Sequence, residues 1–207
     1  MAAFDPAELR RRKERIRQQA RLARRGQQQK DVLSRLICQR LATLPEYQAA
    51  RTVLFYVSMP DEVGTHESLI AAMEEAKRVL VPYCEENMLK LFPLSRMDEL
   101  AEGTMRILEP RAELRRESGR QVEIGEVDLV VAPGVAFDRE GGRIGHGKGY
   151  YDRLLADARS DTLLVGLAFE CQMVPEVPTG PDDILLDRVV TEEEVYVGRR
   201  HVHKEKP

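Results

Sequence analysis

Hydrophobic residues in the N-terminal third recur at helical rather than strand spacing. Ile16, Ala20 and Ala23 fall on one helix face, and Gly26 interrupts the pattern. "KDVLSRLICQRLATL" resumes it with Val32, Leu33, Leu36, Ile37 and Leu41 before Pro45 stops it. The spacing changes at "RTVLFYV" (51–57), a β-branched and aromatic run that predicts a strand. "SMPDEVGT" reads as a loop, with Thr65 placed to cap a helix over "HESLIAAMEEAKR" whose Leu69, Ile70 and Met73 face the core. "VLVPYC" (79–84) and "LKLFPL" (89–94) predict two further strands, whereas polar residues 95–126 predict loop, short strand and turn. The nearly continuous apolar run "VDLVVAPGVAF" (127–137) predicts a central strand buried on both faces. After a glycine-rich loop, "YYDRLLADAR" returns to helical spacing at Leu154, Leu155 and Ala158. "TLLVGLAF" (162–169) and "DRVV" (187–190) predict the last strands, and Thr191 with Glu194 has capping-box spacing near the tail.

Strand, helix and strand in alternation, joined by long crossovers, predict an α/β fold. The expected form is a mostly parallel central sheet flanked by helices in a Rossmann-like three-layer arrangement. No internal repeat or low-complexity linker divides the 207 residues, so one domain over 1–207 is expected. It begins with a basic helix over 7–26 and ends in a short polar tail from about 198.

Composition narrows the function classes. A hydrophobic share of 43% sets the chain apart from disordered sequences. No apolar run approaches the roughly 18 to 20 residues of a membrane helix, and the N-terminus lacks the apolar segment of a secretory signal. Cys38, Cys84 and Cys171 form no CxxC pair, which argues against a disulfide framework or structural zinc and for a cytoplasmic setting. Net charge is −3, yet "RRRKERIRQQARLARRG" (10–26) holds nine Lys or Arg and one acid. That helix is solvated surface, an RNA contact, or a donor of cations to a local anion site. Missing aromatics and an acidic remainder disfavour RNA, so no nucleic-acid or membrane partner is expected. A monomer acting on small molecules is the simplest expectation, and His66, His201 and His203 read as exposed polar side chains.

The chemistry concentrates in "RIGHGKGYYDRLL" (143–155). Gly145, Gly147 and Gly149 strip Cβ atoms from a loop between a strand and a helix, where backbone N–H groups approach an anion. The following helix N-terminus, Arg143 and Lys148 add positive charge, so the features converge on phosphate. "GRIGHGKG" fits GxxxxGK, but Gly149 stands where a Walker loop needs Ser or Thr, and Tyr150 breaks the GxGxxG pattern. Asp152 in the first helical turn repels phosphate unless Mg²⁺ bridges the two; otherwise it only favours the helix N-terminus.

With these residues in view, the chain resembles the 5-formyltetrahydrofolate cyclo-ligase (methenyltetrahydrofolate synthetase) family. "RIGHGKGYYDRLL" is similar to its glycine-rich signature, "VVAPGVAFD" to the preceding strand and turn, and "YVSMPDEVGT" (56–65) to its substrate loop. "ILEP" (107–110), "LAFECQMVPEVPTGPDDILLDRVVTE" (167–192), and Lys13 with Arg17 extend the likeness over nearly the whole chain. The resemblance implies conversion of 5-formyltetrahydrofolate to 5,10-methenyltetrahydrofolate with ATP as co-substrate and Mg²⁺ as cofactor. By the same resemblance Lys13, Arg17, Arg143, Gly145, His146, Gly147, Lys148, Gly149, Tyr150 and Tyr151 would bind ATP. Val57, through its backbone, and Glu62 would bind the pterin, in a cavity shared with Lys148, Tyr150 and Tyr151. Asp152 and Asp183 would hold Mg²⁺, with Asp182 the neighbouring alternative to Asp183. His146 departs from the arginine, tyrosine or methionine common there, and a neutral imidazole is expected to weaken phosphate neutralisation. The rival readings are a same-fold ATP-using paralogue with a non-folate substrate and a non-catalytic RNA-binding protein.

Overall fold

The structure, a computed structural model, describes residues 5–103, 107–117 and 120–204. The chain runs through α1 (Pro6–Gly26), α2 (Lys30–Ala42), α3 (Pro45–Ala49), β1 (Thr52–Phe55), α4 (His66–Glu74), β2 (Arg78–Glu85) and β3 (Met88–Leu94). It continues through β4 (Leu100–Glu102), β5 (Leu108–Pro110), α5 (Ala112–Arg115), β6 (Leu129–Ala132), β7 (Ala136–Phe137) and β8 (Arg143–Ile144). It closes with α6 (Tyr150–Ala156), β9 (Leu163–Leu167), β10 (Arg188–Val190), β11 (Val195–Val197) and α7 (Arg199–Lys204).

One seven-stranded sheet organises this single α/β domain, in the order β11-β10-β9-β6-β1-β2-β3. The strands from β10 to β2 pair parallel, and the edge strands β11 and β3 pair antiparallel. β1, β6 and β9 are buried along their whole length, as their unbroken apolar runs require of a parallel sheet covered on both sides. Odd positions such as Val53, Phe55, Val79, Leu129, Val131 and Val165 face one layer with Ile37, Leu41, Tyr47 and Leu69 of α2, α3 and α4. Leu54, Leu80, Val130 and Leu164 face the other, against Leu155 of α6 and Phe137. The three-layer expectation therefore holds.

Several local expectations are corrected. The strand over 127–137 divides, because Pro133 and Gly134 follow β6 and the chain turns into the β7–β8 hairpin. Pro45 opens the short α3 rather than only ending α2, as its fixed φ suits a first helical position. Thr65 does take the N-cap position of α4, where its carbonyl accepts the Leu69 amide at 2.9 Å, but its hydroxyl caps no helix amide: it donates to the Tyr56 carbonyl at 2.7 Å and accepts from the Ser58 amide at 3.2 Å. Ile70 is exposed, and Leu69 with Ala72 carries the buried face of α4. Thr191 caps no helix; its hydroxyl accepts from the amides of Glu193 and Glu194 in the turn before β11. His66 and His201 are half-buried rather than exposed, hydrogen-bonded to Ser58 and Arg188, while the His203 side chain lies outside the described residues. Among the described residues no helix is long and apolar enough to cross a membrane.

The basic helix α1 packs on neither face of the sheet. Ile16 and Ala20 join Val135, Ala136, Ile144 and Val177 in a separate small core over the β7–β8 hairpin. Its buried face continues to Arg24, not to Ala23, which is exposed. A charged residue takes that place because carbonyl and carboxylate oxygens meet it there.

Candidate active site

β1, β6 and β9 are neighbours in the sheet, so the loops leaving their C-terminal ends are neighbours too. The loop after β1 carries Glu62, the path after β6 leads through the β7–β8 hairpin to the glycine loop, and β9 leads to a 3₁₀ turn at Glu170–Gln172. This end of a parallel sheet is where ligands of open α/β folds bind.

Helix α1 lies over these loops and reaches three of them with one stripe of side chains, Lys13, Arg17, Ala20 and Arg24. Lys13 Nζ donates to both carboxylate oxygens of Asp183, at 2.6 and 2.5 Å. Arg17 Nε donates to the Gly145 carbonyl at 2.8 Å, and its guanidinium also pairs with Glu14. Arg24 Nη1 lies 3.4 Å from the Gly134 carbonyl and 3.9 Å from Glu62 Oε1.

In the glycine loop Gly147 and Gly149 adopt φ of +105° and +65°, which side-chain-bearing residues resist, whereas Gly145 does not. α6 has seven residues, so its dipole is a lesser source of positive potential than the side-chain cations nearby. Arg143 is turned inward, with Nη2 donating to Asp152 Oδ1 at 2.8 Å, Nη1 to the Pro133 carbonyl at 3.2 Å, and its guanidinium over the Tyr151 ring. Tyr151 Oη is buried with no hydrogen-bond partner among the described residues. Burial, and then the Glu62 charge, push the Tyr151 phenol well above its ordinary range, so it remains a neutral donor. Lys148 is exposed and has no side-chain partner among the described residues.

Glu62 is fixed locally. Its Oε2 accepts the Met59 amide at 3.0 Å, while its own amide donates to the Met59 carbonyl at 2.9 Å. Its Oε1 lies 3.3 Å from His146 Nε2, so the glycine loop and the loop after β1 touch at this contact. His146, expected at the nucleotide, thus also stands beside a carboxylate of the loop after β1. Behind Glu62 a narrow cleft, too tight in this arrangement for a water molecule, is lined by Arg24, Tyr56, Val63, Pro133, Leu167 and Gln172. Tyr56 donates to the Val63 carbonyl at 2.8 Å, and Gln172 Nε2 donates to the Gly134 and Val135 carbonyls.

Asp152 and Asp183 approach through the chain between them, Asp152 Oδ1 being 3.5 Å from the Ile184 amide. Asp182 is exposed, and Asp183 is the one that faces α1. Asp152 Oδ2 accepts no hydrogen bond among the described residues. Asp152 offers Oδ2 to a hard cation arriving with phosphate, whereas both oxygens of Asp183 accept from Lys13 and Oδ2 also from the Gly180 amide, so Mg²⁺ would take Asp183 only in place of Lys13. Among the described residues there is no cluster of three or more His, Cys, Asp or Glu side chains that would hold a metal unaided.

A protein-family model, the 5-formyltetrahydrofolate cyclo-ligase family, matches residues 7–192. The chain belongs to this family. It is an enzyme by that membership, a ligase. It is 33% identical over 188 residues to the 5-formyltetrahydrofolate cyclo-ligase of Escherichia coli K12, covering 87% of this chain and 98% of that one. It is 31% identical over 173 residues to a probable 5-formyltetrahydrofolate cyclo-ligase of Schizosaccharomyces pombe, covering 77% and 83%. The solution structure of Aquifex aeolicus 5,10-methenyltetrahydrofolate synthetase matches with a TM-score of 0.78 at 33% identity, over 90% of this chain and 93% of that one. The synthetase of Mycoplasma pneumoniae shares the fold, at a TM-score of 0.69, 21% identity, and 87% and 98% coverage.

Against this cyclo-ligase background, the residues singled out in the sequence are partly joined. Lys13 meets Asp183, Arg17 meets Gly145, Arg143 meets Asp152, and His146 meets Glu62. Others stand apart. Tyr150 turns its ring to Arg153, while Val57 buries its side chain in the main core, which leaves only its backbone for the expected contact. Sequence reasoning missed Arg24, Tyr56 and Gln172, which surround Glu62. For Arg24 a signal existed, since it stands seven residues after Arg17 and therefore on the same helix face.

Proposed function

We propose that this protein converts 5-formyltetrahydrofolate to 5,10-methenyltetrahydrofolate with ATP as co-substrate and Mg²⁺ as cofactor, releasing ADP and phosphate. The observation that carries the reading is the His146–Glu62 contact. A phosphate on the glycine loop and a group held by Glu62 are then side by side.

In this reading Lys13, Arg17, Lys148 and the loop amides bind the nucleotide phosphates, and Tyr151 lines the cavity. Arg143 acts from behind by holding Asp152. Mg²⁺, taken by Asp152 and Asp183, would supply neutralisation of phosphate charge. Glu62 accepts pterin N–H groups. The N-formyl carbonyl is an amide, a weak electrophile with a poor leaving oxygen. Its oxygen takes the γ-phosphoryl group as the bond to ADP breaks. The folate N10 then adds to the formyl carbon and loses its proton, and the C–O bond breaks to release phosphate. Lys148, exposed and without a side-chain partner among the described residues, is suited to follow the charge that moves from the γ-phosphate to the departing oxygen. The protein's contribution is position and charge compensation.

The test is near-ultraviolet absorbance of purified protein with (6S)-5-formyltetrahydrofolate and ATP, with controls lacking ATP or containing EDTA. The conjugated amidinium of the methenyl product should accumulate only when both ATP and Mg²⁺ are present. ATP binding without that signal would reject the folate substrate and leave a nucleotide enzyme of another specificity.

A further inference from the structure

Arg24 is a buried cation with few hydrogen bonds of its own. Its side chain is 7% exposed, its Nε is buried with no partner among the described residues, and its Nη1 reaches the Gly134 carbonyl only at 3.4 Å. What faces it is Glu62, 6% exposed, with Oε1 at 3.9 Å. At that distance the guanidinium balances the carboxylate's charge without occupying its lone pairs. Oε2 is used by the Met59 amide, and Oε1 faces His146 at 3.3 Å and the cleft beyond. A buried carboxylate lacking a counter-charge would protonate or turn out to water, and either change removes an acceptor from the cleft. The Gly134 carbonyl, also held by Gln172, and the packing of Ala20 on the hairpin fix where Arg24 stands.

We infer that Arg24 is a positioning residue for the ligand-accepting carboxylate of Glu62: it supplies the charge that keeps Glu62 in the cleft as an acceptor for ligand N–H groups. The inference rests on Glu62 being the pterin acceptor. It also divides the cations of α1 by task, Lys13 and Arg17 toward the nucleotide and Arg24 toward the folate.

The experiment compares R24Q, R24K, E62Q and R24Q/E62Q in the full chain, measuring KM for (6S)-5-formyltetrahydrofolate, KM for ATP, kcat and Tm. Glutamine keeps a polar side chain but removes the charge; lysine keeps the charge. R24Q should raise the folate KM roughly 10- to 100-fold, the range spanned by loss of a hydrogen bond to a charged group, with kcat and the ATP KM little changed. R24K should recover most of that loss. The double variant should be no worse in folate KM than E62Q, because both substitutions remove one function. If E62Q leaves the folate KM unchanged, the Glu62 assignment fails, whatever Arg24 does. If E62Q raises it but R24Q does not, or R24Q and R24K are equally impaired, the inference about Arg24 is overturned. Should R24Q not fold, R24K decides: a folate KM raised as far as in E62Q rejects the role of charge, and a near-native KM supports it.

Discussion

Replacing Asp152 tests whether the glycine loop is held by a buried ion pair. The Arg143 side chain is 2% exposed and that of Asp152 is 23% exposed, with 2.8 Å between them. Apart from this pair the guanidinium has the Pro133 carbonyl at 3.2 Å and the face of the Tyr151 ring, while its Nε has no partner among the described residues. Removing one partner of a buried pair costs about 3–5 kcal/mol, because the charge left behind is uncompensated. The partial exposure of Asp152 screens the pair, so D152A belongs near the lower limit, at roughly 3 kcal/mol. D152N keeps an acceptor for Arg143 and loses only its charge, which leaves a cost of about 1–2 kcal/mol. For a domain of this size each kcal/mol lowers Tm by roughly 2–4 °C, so calorimetry should find D152A down by about 6–12 °C and D152N by about 2–8 °C. Turnover measured well below these temperatures should be lost in both, because either change removes a carboxylate from the proposed phosphate site. A D152A protein that melts with the wild type would refute the argument, since Arg143 would then not depend on Asp152.

Three further outcomes separate structure from chemistry. Lys148 is exposed and unpaired among the described residues, so K148A should keep the wild-type Tm yet lose on the order of 10²–10³-fold in kcat, as when an electrostatic donor is removed; full turnover in K148A would remove Lys148 from the site. The Gly147 φ of +105° is strained for any side chain, although a Cβ there would be in ordinary contact, its nearest neighbour being Arg17 Cζ at 3.6 Å. G147A should therefore cost about 1–3 kcal/mol through backbone strain, read as lower Tm or, if the loop relaxes, as a higher KM for ATP. No change in either would show that the loop conformation does not matter. Burial holds the His66 imidazole below its ordinary value of 6.5, so the folded state resists protonation. Its contribution is complete above pH 6.5 and is lost as pH falls through the folded-state value. Thermal melts from pH 7.5 down to about 5 should fall more steeply for the wild type than for H66N; parallel curves would exclude His66 as a source of acid sensitivity.

The histidines and cations show how far one-dimensional reading extends. Periodicity located the helices and most sheet strands because burial of a whole helix face or strand repeats at a fixed spacing. It misplaced Ile70 and Ala23 because a stripe's edges depend on what packs opposite. Thr65 was legible as the N-cap of α4, but not that its hydroxyl would bond the backbone of the loop after β1 rather than a helix amide. His146 could be assigned to the nucleotide loop by sequence, but not to Glu62, which lies 84 residues away along the chain.

The sequence by itself determined the parallel α/β arrangement, the glycine loop, the basic helix and the family. Each of these is carried by local spacing or by residues close together in the chain. The tertiary structure alone decided which cation meets which acid. α1 rests on the β7–β8 hairpin rather than on the sheet, so Lys13, Arg17 and Arg24 reach three separate loops. Arg24 is inward because a buried carboxylate and a carbonyl await it, while neighbouring Arg25 remains exposed. Electrostatic partners across long chain separations leave no periodic trace, since Coulomb attraction and desolvation depend on distance in space and not on position in the chain.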